Sequence, residues 1–463
     1  MKAFTPHAIR LMALAVITAI AASCSRDRRE LLSLVPDDVD FAMTINALQL
    51  ASDAGCSIGA DGSVQMPEYM ESLIRSHKLP EGFGSILTDL SHAIDLEHIV
   101  CYGYGNSPLI AFAITDADRF ESIITPADTD KQDGFTLYRK YDKGITIVTN
   151  DDIGWLWITD TRNPVTIITE AADKAKTAPI SKKSGLNDAL TADNTFNAVY
   201  DPSFIDSSLG NHWLSVSGKI ESQTMLLTVR GITPDGEIMT ISGTQEINTD
   251  FLRYVPSDFT LAAAAGLTAD INWDGFAAII GLAGGYRSRG LVDTLLPYLR
   301  SIDGTVAIAA GPADESAWTE LDMDHWRFLA MIHMPQDRIS QATSQVAMLL
   351  RQMRLPVTAD APGLISTEYD GTTYRIGNID GYFTIASIPM EPTANNQLAT
   401  TFLGKQAGAS VTIPSLSHYL GERGDFGMEI RFALERQEAT LKINLTDTDT
   451  PILAALLPLF LDL

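Results

Sequence analysis

The residues able to do covalent chemistry in this chain are few and far apart. Cys24, Cys56 and Cys101 are the only thiols in 463 residues. None is half of a C-x-x-C pair, so a redox or zinc motif has no support. The eight histidines fall at 7, 77, 92, 98, 212, 325, 333 and 418, without the H-E-x-x-H or H-x-H spacing that pinches a metal. Asp322-Met323-Asp324-His325 offers oxygen and nitrogen ligands but reads as an exposed acidic loop. The run from Asp128 to Gly134 has the carboxylates of a calcium loop without its spacing, since Gln132 and Asp133 stand where a ligand and a glycine are needed. It reads as a hairpin loop. Ser288 lies among glycines, yet Tyr286 takes the place of a glycine in G-x-S-x-G. Gly103 and Gly105 begin a dinucleotide fingerprint that Pro108 ends. No metal, no cofactor and no catalytic residue is expected. Trp155, Trp157, Tyr382 and Phe383 are the candidates to line an apolar ligand cleft, with core packing as the alternative.

The N-terminus carries a different chemistry. Lys2 and Arg10 precede an apolar run from Leu11 to Ile20, which is too short to span a bilayer and has the layout of a secretory signal. Residues 1–23 therefore read as a signal peptide. Ala21-Ala22-Ser23-Cys24 resembles the bacterial lipobox, with Ala21 where leucine is more usual. The resemblance implies cleavage before Cys24 and acylation of its thiol and its new amine. Several acyl chains on one residue anchor firmly, because each buried methylene contributes about 0.8 kcal/mol. Residues 24–33 form a tether, and Arg26, Arg28 and Arg29 make it mostly basic. Surface-exported lipoproteins of Bacteroidota-type bacteria usually carry an acidic run there. The resemblance thus favours an outer-membrane anchor facing the periplasm. An exported chain meets an oxidising compartment, so Cys56 and Cys101 form a candidate disulfide, with two separate thiols as the alternative.

Charge narrows the partners. The net charge is −25, and a surface this acidic repels phosphate backbones and anionic headgroups, so nucleic acid is not an expected partner. The membrane, through the lipid anchor, and an envelope protein or an apolar ligand are.

The elements that must hold these residues repeat. Leu34-Val35-Pro36 followed by Asp38 and an apolar strand returns as Tyr254-Val255-Pro256 followed by Asp258 and Leu261 to Gly266. Between the copies, strands are expected at 98–104, 108–114, 136–141, 144–149, 153–159, 196–200, 213–221 and 224–232. Helices are expected at 67–76, 83–94, 118–124 and 164–174, with further helix-like segments near 48–53 and 273–282. Ala111 to Phe120 aligns with Ala330 to Ile339, and Ile153 to Ile158 with Asp380 to Ile385. The Pro-Ser pair at 202–203 answers that at 414–415, and Glu221 and Gln223 answer Glu435 and Gln437. The order of these matches argues for a tandem duplication with a period far beyond that of solenoids. Two similar domains follow, 34–245 and 251–463. Each is expected to be α+β, a curved and mainly antiparallel sheet with helices packed on one face. The apolar segment 451–463 is too short to cross a bilayer and is expected to dock on the core.

The lipobox, the early Val-Pro-x-Asp strand and the meander with Asp-Arg helix starts together resemble a family of Bacteroidota-type lipoproteins grouped as a domain of unknown function. The resemblance implies an exported, lipid-anchored α+β protein and assigns no catalytic residue. The expected function is a non-enzymatic binding or assembly role in the cell envelope. The alternatives are a hydrolase of envelope polymers using dispersed Asp and Glu residues, or a carrier of an apolar ligand.

Overall fold

A computed structural model describes residues 28–58, 64–67, 88–104, 107–124, 128–140, 145–157, 163–204, 212–269, 302–314, 317, 325–392, 398–417 and 425–455. Cys24, the signal segment 1–23, Ser288 and most of the helices expected at 67–76, 83–94 and 273–282 lie outside these residues. The chain divides into two compact units, Met1–Met239 with Asp447–Leu463, and Thr240–Thr446. The units part just ahead of the polar stretch where the sequence places a boundary, and the last residues belong to the first unit.

In the first unit, α1 (Arg28–Leu32) leads to β1 (Phe41–Ile45) and α2 (Ala47–Asp53). A two-stranded ribbon, β2 (Ser57–Ile58) with β3 (Val64–Gln65), stands apart. Then come β4 (Ile99–Tyr104), β5 (Ser107–Ala113), α3 (Ala117–Ile124), β6 (Asp128–Gln132), β7 (Phe135–Lys140), β8 (Ile145–Asn150) and β9 (Ile153–Trp157). Helices α4 (Pro164–Thr177) and α5 (Ser184–Thr191) precede β10 (Phe196–Tyr200), β11 (Trp213–Glu221) and β12 (Thr224–Ile232). Hydrogen bonding places the strands in the order β12-β11-β10-β1-β4-β5-β9-β8-β7-β6, every pair antiparallel.

The second unit opens with β13 (Thr244–Gln245) and a 3-10 turn at Thr249–Tyr254, then β14 (Leu261–Leu267), β15 (Gly304–Pro312), β16 (Trp326–His333) and α6 (Gln336–Gln352). It continues through β17 (Thr358–Ala361), β18 (Leu364–Tyr369), β19 (Thr372–Ile379), β20 (Tyr382–Ala386), α7 (Ala399–Phe402), β21 (Ala407–Ile413), β22 (Gly427–Leu434) and β23 (Ala439–Thr446). Its order is β23-β22-β21-β14-β15-β16-β20-β19-β18-β17, with β13 joined to the end of β14. Apart from β13, each strand has a counterpart in the first unit, joined to the same neighbours.

The match extends to single hydrogen bonds. Val35 N–H reaches Leu32 C=O at 3.3 Å, and Val255 N–H reaches Leu252 C=O at 3.1 Å. Each Val-Pro therefore closes a helical turn just before the central strand, where proline costs no ladder bond. Phe41 faces Gly103 and Tyr200, and Leu261 faces Ala310 and Val411.

The α+β expectation is corrected. Twenty-one strands in antiparallel ladders dominate the described chain, and the helices do not form a layer on one sheet face. The cause is local. Two-residue turns such as Asp133-Gly134, Asp151-Asp152, Asp370-Gly371 and Asp380-Gly381 join successive strands, with the first residue of each at φ 47–52°. Such turns match the twist of a hairpin and leave no chain for a helix. Among the described helices, only α4 (14 residues) and α6 (17 residues) exceed eight residues.

The first core gathers Leu31, Val35, Ala42, Tyr102, Leu109, Trp155 and Trp157, with Val165, Ile168 and Leu186 from α4 and α5. In β1 the residues buried deepest are Ala42 and Thr44, not the larger Phe41 and Met43 on the opposite face. Thr44 is satisfied there by donating to Leu190 C=O at 2.7 Å. The second core is built from Phe251, Val255, Phe259, Ala262, Met331, Tyr382 and Phe402. Within the first unit the C-terminal segment docks as expected over its described part. Ile452 N–H donates to Ser222 C=O at 2.7 Å, and Leu453 packs on Ala51, Ala54 and Cys56.

Candidate functional site

The four aromatic candidates are core residues. Trp155 and Trp157 are 5% and 1% exposed and share the first core. Tyr382 lies in the second core, whereas Phe383, one residue on, points to the other side of its strand and packs with Ile339 and Ile376. Alternation along a strand separates such neighbours, so these two do not line one cleft. The ladders also correct the alignment. Asn150 faces Ile153 and Ile379 faces Tyr382, so Tyr382 answers Ile153, while Trp155 and Trp157 answer Thr384 and Ala386.

Cys56 and Cys101 are both buried, and no disulfide joins them. Cys56 packs with Ala51 and Ala54, and Cys101 lies mid-strand between Met43 and Ile110. The candidate bridge is not formed and the alternative of two separate thiols holds, because the two belong to different packing neighbourhoods. Burial pushes Cys56 up to about 11 and Cys101 up to about 12, so both stay protonated and unreactive at neutral pH. Among the described residues no group of three or more His, Cys, Asp or Glu is placed to hold a metal ion.

Among the described residues of the first unit, two carboxylates are buried. Asp95 is fully buried and accepts from Glu97 N–H at 2.9 Å, and its other oxygen lies 2.9 Å from His98 Nδ1. Asp53 accepts from Gln49 Nε2 at 2.7 Å and Thr195 Oγ1 at 3.4 Å. Burial, more than any other influence, raises its carboxyl above the usual range. Both fasten loops and helix ends to β-strands. A cavity of about 200 Å³ in the same unit is lined by Lys182, Lys183, Ser184, Trp213, Asp235 and Gly236. Lys183 Nζ lies 3.2 Å from Asp37 Oδ2 there.

The sharpest chemical difference between the units lies at one end of the second sheet. Register sets His333 and Tyr382 where the first unit has Ala113 and Ile153, and the repeated Val-Pro turn sets Arg253 and Tyr254 where that unit has Ser33 and Leu34. Arg253 Nη2 lies 2.5 Å from Asp380 Oδ2, and the Tyr254 hydroxyl donates to that same oxygen. The guanidinium also sits 5.3 Å from the Tyr254 ring centre. His333 meets the Tyr382 ring edge-on at 5.5 Å, and its Nδ1 lies 3.1 Å from Asp303 C=O. Tyr382 is 2% exposed, and its hydroxyl has no hydrogen-bond partner among the described residues. Burial first, and then the charge of Asp250, push its phenol up to about 12. Burial first, and then Asp380, raise that of Tyr254. Both phenols therefore stay protonated at neutral pH, and that of Tyr254 donates to Asp380. With Arg253 they make a donor-rich corner suited to recognising an acceptor. Sequence reasoning missed this corner, although the Leu34-to-Tyr254 difference stands in the repeated Val-Pro motif itself.

No family model matches the sequence, and no curated protein matches it. A solved structure described as "Structure of crystal form IV of TP0453" is similar at 9% identity, over 43% of this chain and 79% of that one, with a TM-score of 0.28. At that score the likeness carries no argument. No described helix is long and apolar enough to cross a membrane.

Proposed function

We propose that this is a lipid-anchored cell-envelope protein, held through Cys24 at the outer membrane and facing the periplasm, with a binding or assembly role. The observation that carries the address is the run of Lys2, Arg10, the apolar segment Leu11 to Ile20, and Ala21-Ala22-Ser23 ahead of Cys24. The role is supported by where two units with one pairing scheme diverge. The second unit gains Arg253, Tyr254 and Tyr382 at matched positions, and arginine and tyrosine are enriched where binding energy concentrates.

Intact-mass measurement of the protein extracted from envelopes tests the address. A mature chain that begins at acylated Cys24 is expected, and one that begins elsewhere overturns it. Cross-linking in envelopes tests the role. A partner held at fixed stoichiometry should be weakened by Arg253→Ala, and a chain recovered only as a lone monomer removes the assembly reading.

A further inference from the structure

Helix α6 occupies the same place in the second unit that α3 occupies in the first, after the strand that faces β20 or β9. It runs to 17 residues, where α3 has 8. Its inner face is packed: Ile339, Thr343 and Ala347 are buried, and Ile339 clusters with Ile376 and Phe383. The extra turns carry a second apolar strip. Met348, Leu349 and Met353 are 55%, 56% and 68% exposed; helical spacing sets Met348 and Leu349 on either side of Gln345 and Gln352 on the outer face, and Met353 follows Leu349 one turn on, at the helix end.

Arg351 and Arg354 adjoin that strip. Both are exposed, and neither takes part in the arginine ion pairs of the described residues. The helix ends in a Schellman turn, with Arg354 N–H on Arg351 C=O at 3.0 Å and Leu355 N–H on Leu350 C=O at 2.9 Å. Arg354 holds the left-handed position, φ 61°, which glycine usually fills. Arginine at this position carries backbone strain that glycine would not.

We propose that this end of α6 docks on an anionic phospholipid surface. Met348, Leu349 and Met353 enter the acyl boundary, and Arg351 and Arg354 meet the headgroup phosphates. Charge selects this occupant. In a chain of 33 basic and 58 acidic side chains, a cationic helix end with an apolar strip complements an anionic interface. A second copy would bring arginines against arginines. The acidity of the remaining surface does not forbid the contact, because charges beyond about 8 Å are screened at physiological ionic strength. The contact goes beyond the proposed anchor and does not require it.

The test uses the full chain carrying Cys24→Ser, oxidised by dilute peroxide and read methionine by methionine by mass spectrometry. Met348 and Met353 should oxidise quickly in solution and with phosphatidylcholine vesicles, and several-fold more slowly with vesicles that also contain phosphatidylglycerol. Met331, which is 0% exposed, should stay slow throughout and so reports an intact fold. Arg351→Glu with Arg354→Glu should restore fast oxidation on the anionic vesicles. Equal rates with and without phosphatidylglycerol overturn the proposal. Protection that grows with protein concentration in the absence of vesicles also overturns it and assigns the face to a second copy. Cys24 carries no lipid in this chain, so failure here leaves the anchor reading standing, and failure of the anchor leaves this result standing.

Discussion

Asp151 and Asp380 hold the same corner of the same hairpin, one between β8 and β9 and the other between β19 and β20, at φ 50° and 49°. Aspartate tolerates this left-handed corner better than most residues, and glycine better still. Only Asp380 has been given a second task, as the shared acceptor for Arg253 and Tyr254.

The two corners should therefore answer differently to glycine. Asp151→Gly is expected to be neutral or to stabilise by a few tenths of a kcal/mol up to about 1 kcal/mol. Asp380→Gly loses two charge-assisted bonds on a half-exposed carboxylate and should destabilise by about 1 kcal/mol net. Urea unfolding of the two variants decides it. Equal shifts of the same sign would mean that Asp380 is a turn residue and nothing more.

Asp53 gives a pH dependence of defined sign. Its folded-state carboxyl is raised by burial and by Glu221, against hydrogen bonds from Gln49 and Thr195. A raised value means that the fold favours the neutral acid. Its contribution is whole below the unfolded value of about 3.9 and is lost as pH rises through the folded value. Asp53→Asn should thus lose less stability than the parent between about pH 4 and neutrality. A variant that loses more over that interval contradicts the assignment.

The two buried thiols predict a counting result. With Cys56 raised to about 11 and Cys101 to about 12, a thiol reagent at pH 8 should label neither of them in the folded protein. In denaturant, a chain acylated at Cys24 should expose two thiols and an unprocessed chain three. Prompt labelling of the folded protein at Cys101 would mean that β4 is not buried.

Gly154 lies across the ladder from Phe112, and a Cβ added there would stand 2.3 Å from the phenyl ring. Gly154→Ala should cost about 1–3 kcal/mol through forced repacking. Adding Phe112→Leu should recover part of that loss, since the two residues share one space. Costs that simply add would show that the ring does not cover the glycine.

Arg354→Gly separates stability from binding. Glycine relieves the left-handed strain and should stabilise by about 0.5–1 kcal/mol, while slowing of Met348 and Met353 oxidation on anionic vesicles should weaken. A variant that gains stability and keeps full protection would place the headgroup contact on Arg351 alone.

Much of the strand placement along the chain was legible. Three strands fall where alternation and turns set them, at Phe196–Tyr200, Trp213–Glu221 and Thr224–Ile232. β6 was not, because Asp128–Gln132 is almost wholly exposed and has no apolar face to announce it. The aromatic match failed for a volumetric reason. Tyr102 and Trp157 fill the first core, their counterparts Ala309 and Ala386 are small, and Phe259 and Tyr382 occupy space in the second. Similar side chains therefore do not mark similar positions. The donor-rich corner was hidden by distance, since Tyr254 and Asp380 are 126 residues apart.

The described part of the C-terminal segment, 447–455, packs into the first unit, so that unit receives its closing segment only after the whole second unit has been synthesised. Translation order and folding order cross. Until the ribosome passes Leu453, the wall formed by Ala51, Ala54 and Cys56 lacks its cover, and a nascent chain in transit presents that apolar surface to whatever escorts it.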